Sequence, residues 1–355
     1  MSRVLVMAGG TGGHVMPALA VAERLRRLGV EVLWVGTAEG LEARVAPRAG
    51  FEFAAIRIKG LRRSGLARVA AMPFMLTWAL LQSLWIFLRR RPDSVLGMGG
   101  FVSAPGGLIC GLLRRPLVVH EQNAVAGLTN RYLARFAGRA LSGFPVADGI
   151  ADATWVGNPV RREIIDIPPP PMRLAGRRGR LRLLIIGGSG GARVFNQHAP
   201  ELLGRAGASI EVWHQCGKER AAPIADCYRQ ASVVCTVSGF IDDMAKAYAW
   251  CDLILCRAGA MTIAEVCAAG AAALLVPYPH AVNDHQSRNA EYLRARGAAR
   301  LIEQEAFVRG DWLGDLDALA RDRTGLLRMA RAARHLARPD AADAVARACV
   351  EAIDA

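Results

Sequence analysis

Short runs rich in Val, Ile and Leu alternate with longer stretches of helical periodicity along most of this chain. In the first half the runs Arg3 to Ala8, Glu31 to Val35, Ser94 to Gly97 and Leu117 to His120 read as strands, each followed by a helical segment. That alternation predicts βαβ units and a parallel sheet. After Gly157-Asn158-Pro159 the periodicity lapses through Pro168-Pro169-Pro170-Pro171 and Arg177-Arg178-Gly179-Arg180, a stiff and charged stretch suited to a boundary. It restarts with Leu181 to Ile186, Ser209 to His214, Val233 to Val237, Asp252 to Cys256 and Ala272 to Val276. The predicted fold class is therefore α/β, with two parallel-sheet domains.

Each half opens with the same device. A strand runs into a glycine cluster and then into a helix, at Gly9-Gly10-Thr11-Gly12-Gly13-His14 and again at Gly187-Gly188-Ser189-Gly190-Gly191-Ala192. Glycines let the backbone approach an oxyanion closely, and the amides and dipole of the following helix favour negative charge. A tight strand-to-helix turn without a ligand is the alternative for either loop alone; the repetition favours two phosphate-binding half sites. Neither loop carries the Gly-Lys-Ser/Thr of a P-loop. The dinucleotide fingerprint fails too, because its third small position falls on Val15 and Arg193, and the second strand ends Val35-Gly36-Thr37 without a ribose-binding acid. A nicotinamide dehydrogenase is the weaker reading.

Composition sharpens the choice of partner. The 355 residues suffice for about two domains of ~150 residues. With 52% hydrophobic and 21% charged residues the chain is globular rather than disordered. A net charge of +14 would attract phosphates, nucleic acid or an anionic membrane. Lysine occurs only at Lys59, Lys218 and Lys246, so the charge is almost all arginine and scattered, and 6% aromatics supply no basic stripe interleaved with stacking rings. Nucleic acid is thus not the expected partner. The eight cysteines include no Cys-x-x-Cys pair and sit mostly in apolar runs, as free thiols of a reducing compartment would. Met1 to Ala8 is too short an apolar run for a secretory signal, so a cytosolic protein is expected.

Candidate chemistry gathers at strand ends. His14 closes the first glycine loop, where a neutral imidazole could accept a proton from a hydroxyl held near the phosphate site; a helix-capping role is the alternative. His120-Glu121-Gln122-Asn123 follows the strand Leu117 to Val119, the end at which open α/β sheets bind ligands, although Glu121 reads equally as a buried supporting contact. Arg257 to Glu265 again runs from strand to helix, offering amides for phosphate and Glu265 for sugar hydroxyls; an ordinary helix acid is the bland reading. Asn283-Asp284-His285-Gln286 is a polar loop suited to a sugar, or simply a solvated turn. No His/Cys/Asp cluster has metal-ligand spacing, so neither a metal nor another cofactor is expected.

Residues 69 to 88 contain no charge, hold Phe74, Trp78, Leu81, Trp85 and Phe87, and end in Arg89-Arg90-Arg91. The length approaches the ~20 residues of a membrane span. Pro73, Thr77, Gln82 and Ser83 interrupt it, and a span between two sheet strands is topologically awkward. An interfacial helix docking on anionic lipid is expected, with a buried core helix as the alternative.

Taken together, the glycine loop through His14, Gly97-Met98-Gly99-Gly100-Phe101-Val102-Ser103, His120-Glu121-Gln122-Asn123, Gly157-Asn158-Pro159-Val160-Arg161, Gly187 to Ala192 and Asp284-His285-Gln286 resemble, in order, the motifs of the MurG family, bacterial peptidoglycan N-acetylglucosaminyltransferases. The likeness runs from the first strand to about residue 300. It implies the GT-B architecture, two Rossmann-like domains facing across a cleft. Residues 1–160 would form the acceptor and membrane-facing domain, with helix 340–355 packing back on it, and 161–339 the UDP-GlcNAc domain. The implied reaction is inverting transfer of N-acetylglucosamine from UDP-GlcNAc to the C4 hydroxyl of the MurNAc of lipid I, giving lipid II for cell-wall synthesis, cell shape and division. Thr11, Gly12, Gly13, Asn123, Arg161, Ser189, Ile241, the turn Ala260, Met261, Thr262, Ile263, Ala264 and Glu265, and Gln286 would contact the donor, with His14 as general base. Met16 and Ala264 stand where the family pattern carries an aromatic and a serine. The resemblance further implies a peripheral position on the cytoplasmic face of the inner membrane, held through residues 69–91, and partners among cell-wall synthesis proteins. A nonenzymatic UDP-sugar or polyprenyl-phosphate binder would need the same loops and apolar helix, but no base.

Overall fold

The computed structural model describes residues 2–58, 72–188, 190–218 and 220–353. Val69 to Ala71 of the apolar segment and Ser189 of the second glycine loop lie outside the described residues. The chain forms two compact units, Met1–Arg161 with Arg338–Ala355, and Arg162–Ala337. The second segment of the first unit opens at Arg338, whose guanidinium lies over the Trp155 ring, 3.6 Å from the centroid. Arg161 belongs to the first unit rather than opening the second.

The first unit holds β1 (Arg3–Met7), β2 (Glu31–Gly36), β3 (Glu52–Ala55), β4 (Ser94–Gly97), β5 (Leu117–Glu121), β6 (Arg139–Ser142) and β7 (Thr154–Trp155). They make one parallel sheet in the order β3-β2-β1-β4-β5-β6-β7. Strands covered on both faces need apolar residues at successive positions, and β1 buries Val4, Leu5, Val6 and Met7 completely. Period-two alternation divides them: Val4 and Val6 face a core shared with Val15, Leu25 and Cys349, while Leu5 and Met7 face Ile86, Phe87 and Ile109. The first core thus includes the C-terminal helix Ala341–Glu351, further tied by Arg24 Nε donating to Asp343 Oδ1 at 2.6 Å and Ser94 Oγ to the Cys349 carbonyl at 2.9 Å.

The second unit repeats the plan with β8 (Leu181–Ile186), β9 (Ile210–Gln215), β10 (Val234–Ser238), β11 (Leu253–Cys256), β12 (Ala272–Leu275) and β13 (Ala299–Leu301). The sheet is parallel in the order β10-β9-β8-β11-β12-β13. One face packs Leu181, Leu183 and Ile185 on Phe195, Phe307, Trp312 and Leu326. In both sheets the strand order reverses beside the first strand of the unit, at β1/β4 and at β8/β11. Such reversals open the crevice that ligands use at strand carboxyl ends.

The apolar segment is an unbroken helix, Met72–Arg90. Its expected interruptions do not break it, since Thr77 Oγ1 donates to the Pro73 carbonyl (2.9 Å) and Ser83 Oγ to the Ala79 carbonyl (2.8 Å), spending their polarity inside the helix. It stops where Arg91 adopts φ +46° ahead of Pro92.

Candidate active site

The first glycine loop leaves β1 and starts the helix Gly12–Arg27 without a side-chain cap: Thr11 is extended at the N-cap and no acid occupies the first turn. Gly12 and Gly13 supply that turn. The helix Ala260–Ala269, after β11, begins the same way from Gly259, and Arg193–Gly204, after β8, from Ala192. Most helix starts here carry no side-chain cap, Glu42–Arg48, Ser103–Leu112 and Ala341–Glu351 among them; aspartate caps two, Asp243 accepting from the Lys246 amide and Asp322 from the Gly325 amide. Uncapped N-terminal amides at strand carboxyl ends are donors at the positive end of a helix dipole, an arrangement suited to an anion.

Not every loop amide is available. Glu42, fully buried, accepts from the Gly10 amide at 3.2 Å, the Thr37 amide at 2.9 Å and Thr37 Oγ1 at 2.8 Å. The Gly10 amide is thus spent on holding the loop, a role that no motif around Glu42 signals.

His14 is half-buried and its Nδ1 lies 2.9 Å from Gln122 Oε1 at the end of β5. The imidazole lies against the Gly99-Gly100 turn after β4, where a Cβ on Gly99, at φ +89°, would come 3.0 Å from His14 Cε1. Asn123 is placed by Glu121, whose buried carboxylate accepts from the Asn123 amide (2.9 Å), Asn123 Nδ2 (3.1 Å), the Gly127 amide (3.1 Å) and Asn130 Nδ2 (2.9 Å). Asn158 Nδ2 donates to the Gln122 carbonyl at 2.9 Å and so anchors the segment leading to Arg161 beside this strand end. The structure therefore brings Thr11, Gly12, Gly13, His14 and Asn123 to one edge of the first sheet.

In the second unit Gln215, at the end of β9, donates through Nε2 to the Gly188 carbonyl and accepts at Oε1 from the Ile241 amide, both 2.9 Å. The second glycine loop and the buried Ile241 are tied through it. Tyr248 donates its hydroxyl to Glu265 Oε2 at 3.2 Å; burial raises the phenol pKa well above its usual value, so this donor stays protonated. Gln286 Oε1 accepts from the Tyr278 amide at 2.9 Å. Asn289 Nδ2 donates to the Ala258 carbonyl (3.1 Å), joining the Gln286 helix to the turn that carries Ala260, Met261, Thr262, Ile263, Ala264 and Glu265. Arg257 braces the turn from below: it donates to the Val276 and Pro277 carbonyls and to Gln304 Oε1, and lies over the Phe195 and Tyr278 rings. Burial lowers its pKa to about 10, which leaves it a cation at neutral pH. Glu42, Gln215, Tyr248 and Asn289 escaped the sequence reading, which took Arg257 only as the start of its turn. The available signal was a polar residue at or just beyond a strand end, as Gln215 and Arg257 are.

Comparison with known proteins agrees with this geometry. Residues 4–142 match the Glycosyltransferase family 28 N-terminal domain and residues 182–345 the Glycosyltransferase family 28 C-terminal domain. The chain belongs to glycosyltransferase family 28. It is a transferase of the α/β GT-B class, which sets aside the dehydrogenase and the nonenzymatic binder. Within this family it is 49% identical over 352 residues, 98% of both chains, to the UDP-N-acetylglucosamine--N-acetylmuramyl-(pentapeptide) pyrophosphoryl-undecaprenol N-acetylglucosamine transferase of Nitrosococcus oceani. It is 50% identical to the transferase of the same name from Aromatoleum aromaticum, over 99% of this chain and 98% of that one. Among solved structures it matches MurG of Acinetobacter baumannii with a TM-score of 0.85 and 37% identity, over 99% of this chain and 100% of the other. The calicheamicin glycosyltransferase CalG4, at 16% identity and a TM-score of 0.69, shares the fold.

Proposed function

We propose that this transferase moves N-acetylglucosamine from UDP-N-acetylglucosamine to the C4 hydroxyl of the N-acetylmuramoyl group of undecaprenyl-pyrophosphoryl-MurNAc-pentapeptide, lipid I, giving lipid II. The near-full-length identity to transferases named for that reaction carries the reading, and the placement of His14 at an uncapped helix terminus supports it. The second unit takes the donor, through Ser189, Ile241, the Ala260 to Glu265 turn and Gln286; Thr11, Gly12, Gly13, Asn123 and Arg161 complete its contacts, and the first unit takes the acceptor. The acceptor oxygen attacks the anomeric carbon, its proton passes to His14, and the bond to UDP breaks through a transition state of oxocarbenium character. One displacement inverts the anomeric configuration. Charge grows on the departing pyrophosphate, where glycine-loop amides and helix N-termini stabilise the transition state more than the ground state.

The acceptor is a lipid, and the helix Met72–Arg90 offers the means to reach it. Ala79, Ser83, Ile86 and Phe87 are buried, while Phe74, Trp78, Leu81, Trp85 and Leu88 form an exposed apolar stripe at helical spacing. Arg89 lies over the Trp85 ring, 5.5 Å from its centroid, at the stripe's end. With one face in the protein core, the helix suits the interface of an anionic bilayer, a peripheral position on the cytoplasmic face of the inner membrane.

UDP release from UDP-N-acetylglucosamine, with and without a lipid I analogue and in the presence of a chelator, tests the reaction. Acceptor-dependent release is expected. Donor binding without release, even after magnesium is restored, would sink the proposal. Near-normal turnover in His14→Ala would remove the base.

A further inference from the structure

The hydrogen-bond chain behind His14 runs into groups that can only accept, and this fixes every proton along it. The Gly157 carbonyl lies 2.9 Å from His120 Nε2, so Nε2 carries hydrogen. His120 is fully buried, and desolvation lowers its pKa; the ring is neutral and its Nδ1 is a lone pair. Gln122 Nε2 sits 3.2 Å from that lone pair and 3.1 Å from the His120 carbonyl. Both neighbours accept only, so this end of the amide must be the NH2 group. The opposite amide orientation would press Oε1 on two acceptors at a residue 1% exposed. Gln122 Oε1 therefore faces His14, and at 2.9 Å it accepts from Nδ1–H.

We propose that Gln122 and His120 are positioning residues that lock His14 in the tautomer protonated on Nδ1, leaving Nε2 as the lone pair that takes the acceptor's proton. The inference rests on the assignment of His14 as base and adds how that base is kept competent. In the step itself the hydroxyl O–H bond breaks toward His14 Nε2 while the oxygen's electrons form the bond to the anomeric carbon and UDP leaves with the pair from the broken bond. The hydrogen stays on Nδ1, donated to Gln122 Oε1, throughout. Two further contacts hold the relay: Asn130 Nδ2 donates to the His120 carbonyl (3.1 Å) and Asn158 Nδ2 to the Gln122 carbonyl (2.9 Å). Gly157 aims the terminal carbonyl from φ +89°, where a Cβ would collide with Arg338 Cβ. The motifs His120 to Asn123 and Gly157-Asn158 thus belong to one device.

Nitrogen-15 shifts of histidine-labelled full-length protein, with His14 assigned by its loss in His14→Ala, read the tautomer directly. The unmodified enzyme should show a protonated Nδ1 and an unprotonated Nε2. Gln122→Met should mix the tautomers and lower kcat about tenfold or more with the KM for UDP-N-acetylglucosamine unchanged. Gln122→Glu keeps an acceptor opposite Nδ1–H and, with its carboxyl proton held on the His120 side where the amide NH2 donated, should hold the tautomer and retain more kcat than Gln122→Met. An Nε2–H tautomer in the unmodified enzyme overturns the proposal without reference to any variant. Equal losses in both Gln122 variants with the His14 spectrum unmoved mean packing alone and overturn it as well. If His14→Ala is inactive while Gln122→Met keeps full kcat, this proposal fails and the base assignment stands; if His14→Ala turns over normally, both fail.

Discussion

Glu121 gathers four N–H donors on one carboxylate, all of them from three residues, Asn123, Gly127 and Asn130. Glu121→Gln keeps the shape but turns one acceptor into a donor facing donors. The expected cost is about 1–3 kcal/mol of stability, with a fall in turnover because Asn123 loses its anchor; thermal melts and kcat measured together check it. A second residue governs acid stability. His214 is buried against Tyr228, its Nδ1 2.9 Å from the hydroxyl, and desolvation pushes its pKa down to about 4 from an ordinary 6.5. Between those values the unfolded chain binds the proton and the folded chain does not, so this contribution is complete above about pH 6.5 and is lost as pH falls toward 4. The slope is about 1.4 kcal/mol per pH unit at most. His120, also lowered by burial, adds the same sign in the first unit. Urea unfolding followed from pH 7 to 4 should be less pH-dependent in His214→Gln.

At the scale of elements, what the sequence revealed followed burial. β1, β4, β8 and β11 are central and covered on both faces, so their apolar runs stand out. β3, β6, β7 and β13 went unread: each is two to four residues long and lies at or next to a sheet edge, where Glu52, Arg139 and Thr154 dilute the pattern. The helix Met72–Arg90 was legible in composition but not in partition, because period alone cannot say which apolar face the sheet takes. Its arginines also divide in a way composition hides. Arg90 pairs with Glu52 and lends its carbonyl to Arg3, whereas Arg89 and Arg91 are exposed. Trp78→Ala with Trp85→Ala should therefore weaken binding to vesicles containing anionic lipid and leave the melting temperature nearly unchanged. Arg89→Glu with Arg91→Glu should weaken it further at low salt than at high salt. Arg90→Glu should instead lower stability. Vesicle co-sedimentation at two salt concentrations separates these outcomes, and unaltered binding in the tryptophan double variant would remove the helix as the lipid contact.

For the whole molecule, the path of the chain makes the two units unequal. Residues Arg162–Ala337 form the second unit without interruption, with a core of their own around Phe195, Phe307, Trp312 and Leu326. The first unit is discontinuous: it needs Arg338–Ala355, which supplies Val345, Ala346, Ala348 and Cys349 to the core beneath β1. The paired glycine loops announced two domains, yet a C-terminal helix belonging to the first core carries no local signal, since its alanine-rich face would suit either. Its placement comes from long-range partners, Arg24 with Asp343 and Arg139 with Glu351. A fragment spanning 162–337 should thus unfold cooperatively on its own. A fragment spanning 1–161 should lack a complete core, leaving Val15, Leu25 and Leu96 without the helix that packs on their elements, and should bind apolar dye or aggregate. Adding a peptide of residues 338–355 should restore a cooperative transition to 1–161 and do nothing for 162–337. Calorimetry of the two fragments with and without the peptide decides it: a cooperative transition in 1–161 alone would mean that the C-terminal helix only decorates the first unit, and failure of 162–337 to melt cooperatively would mean that the second core depends on the first.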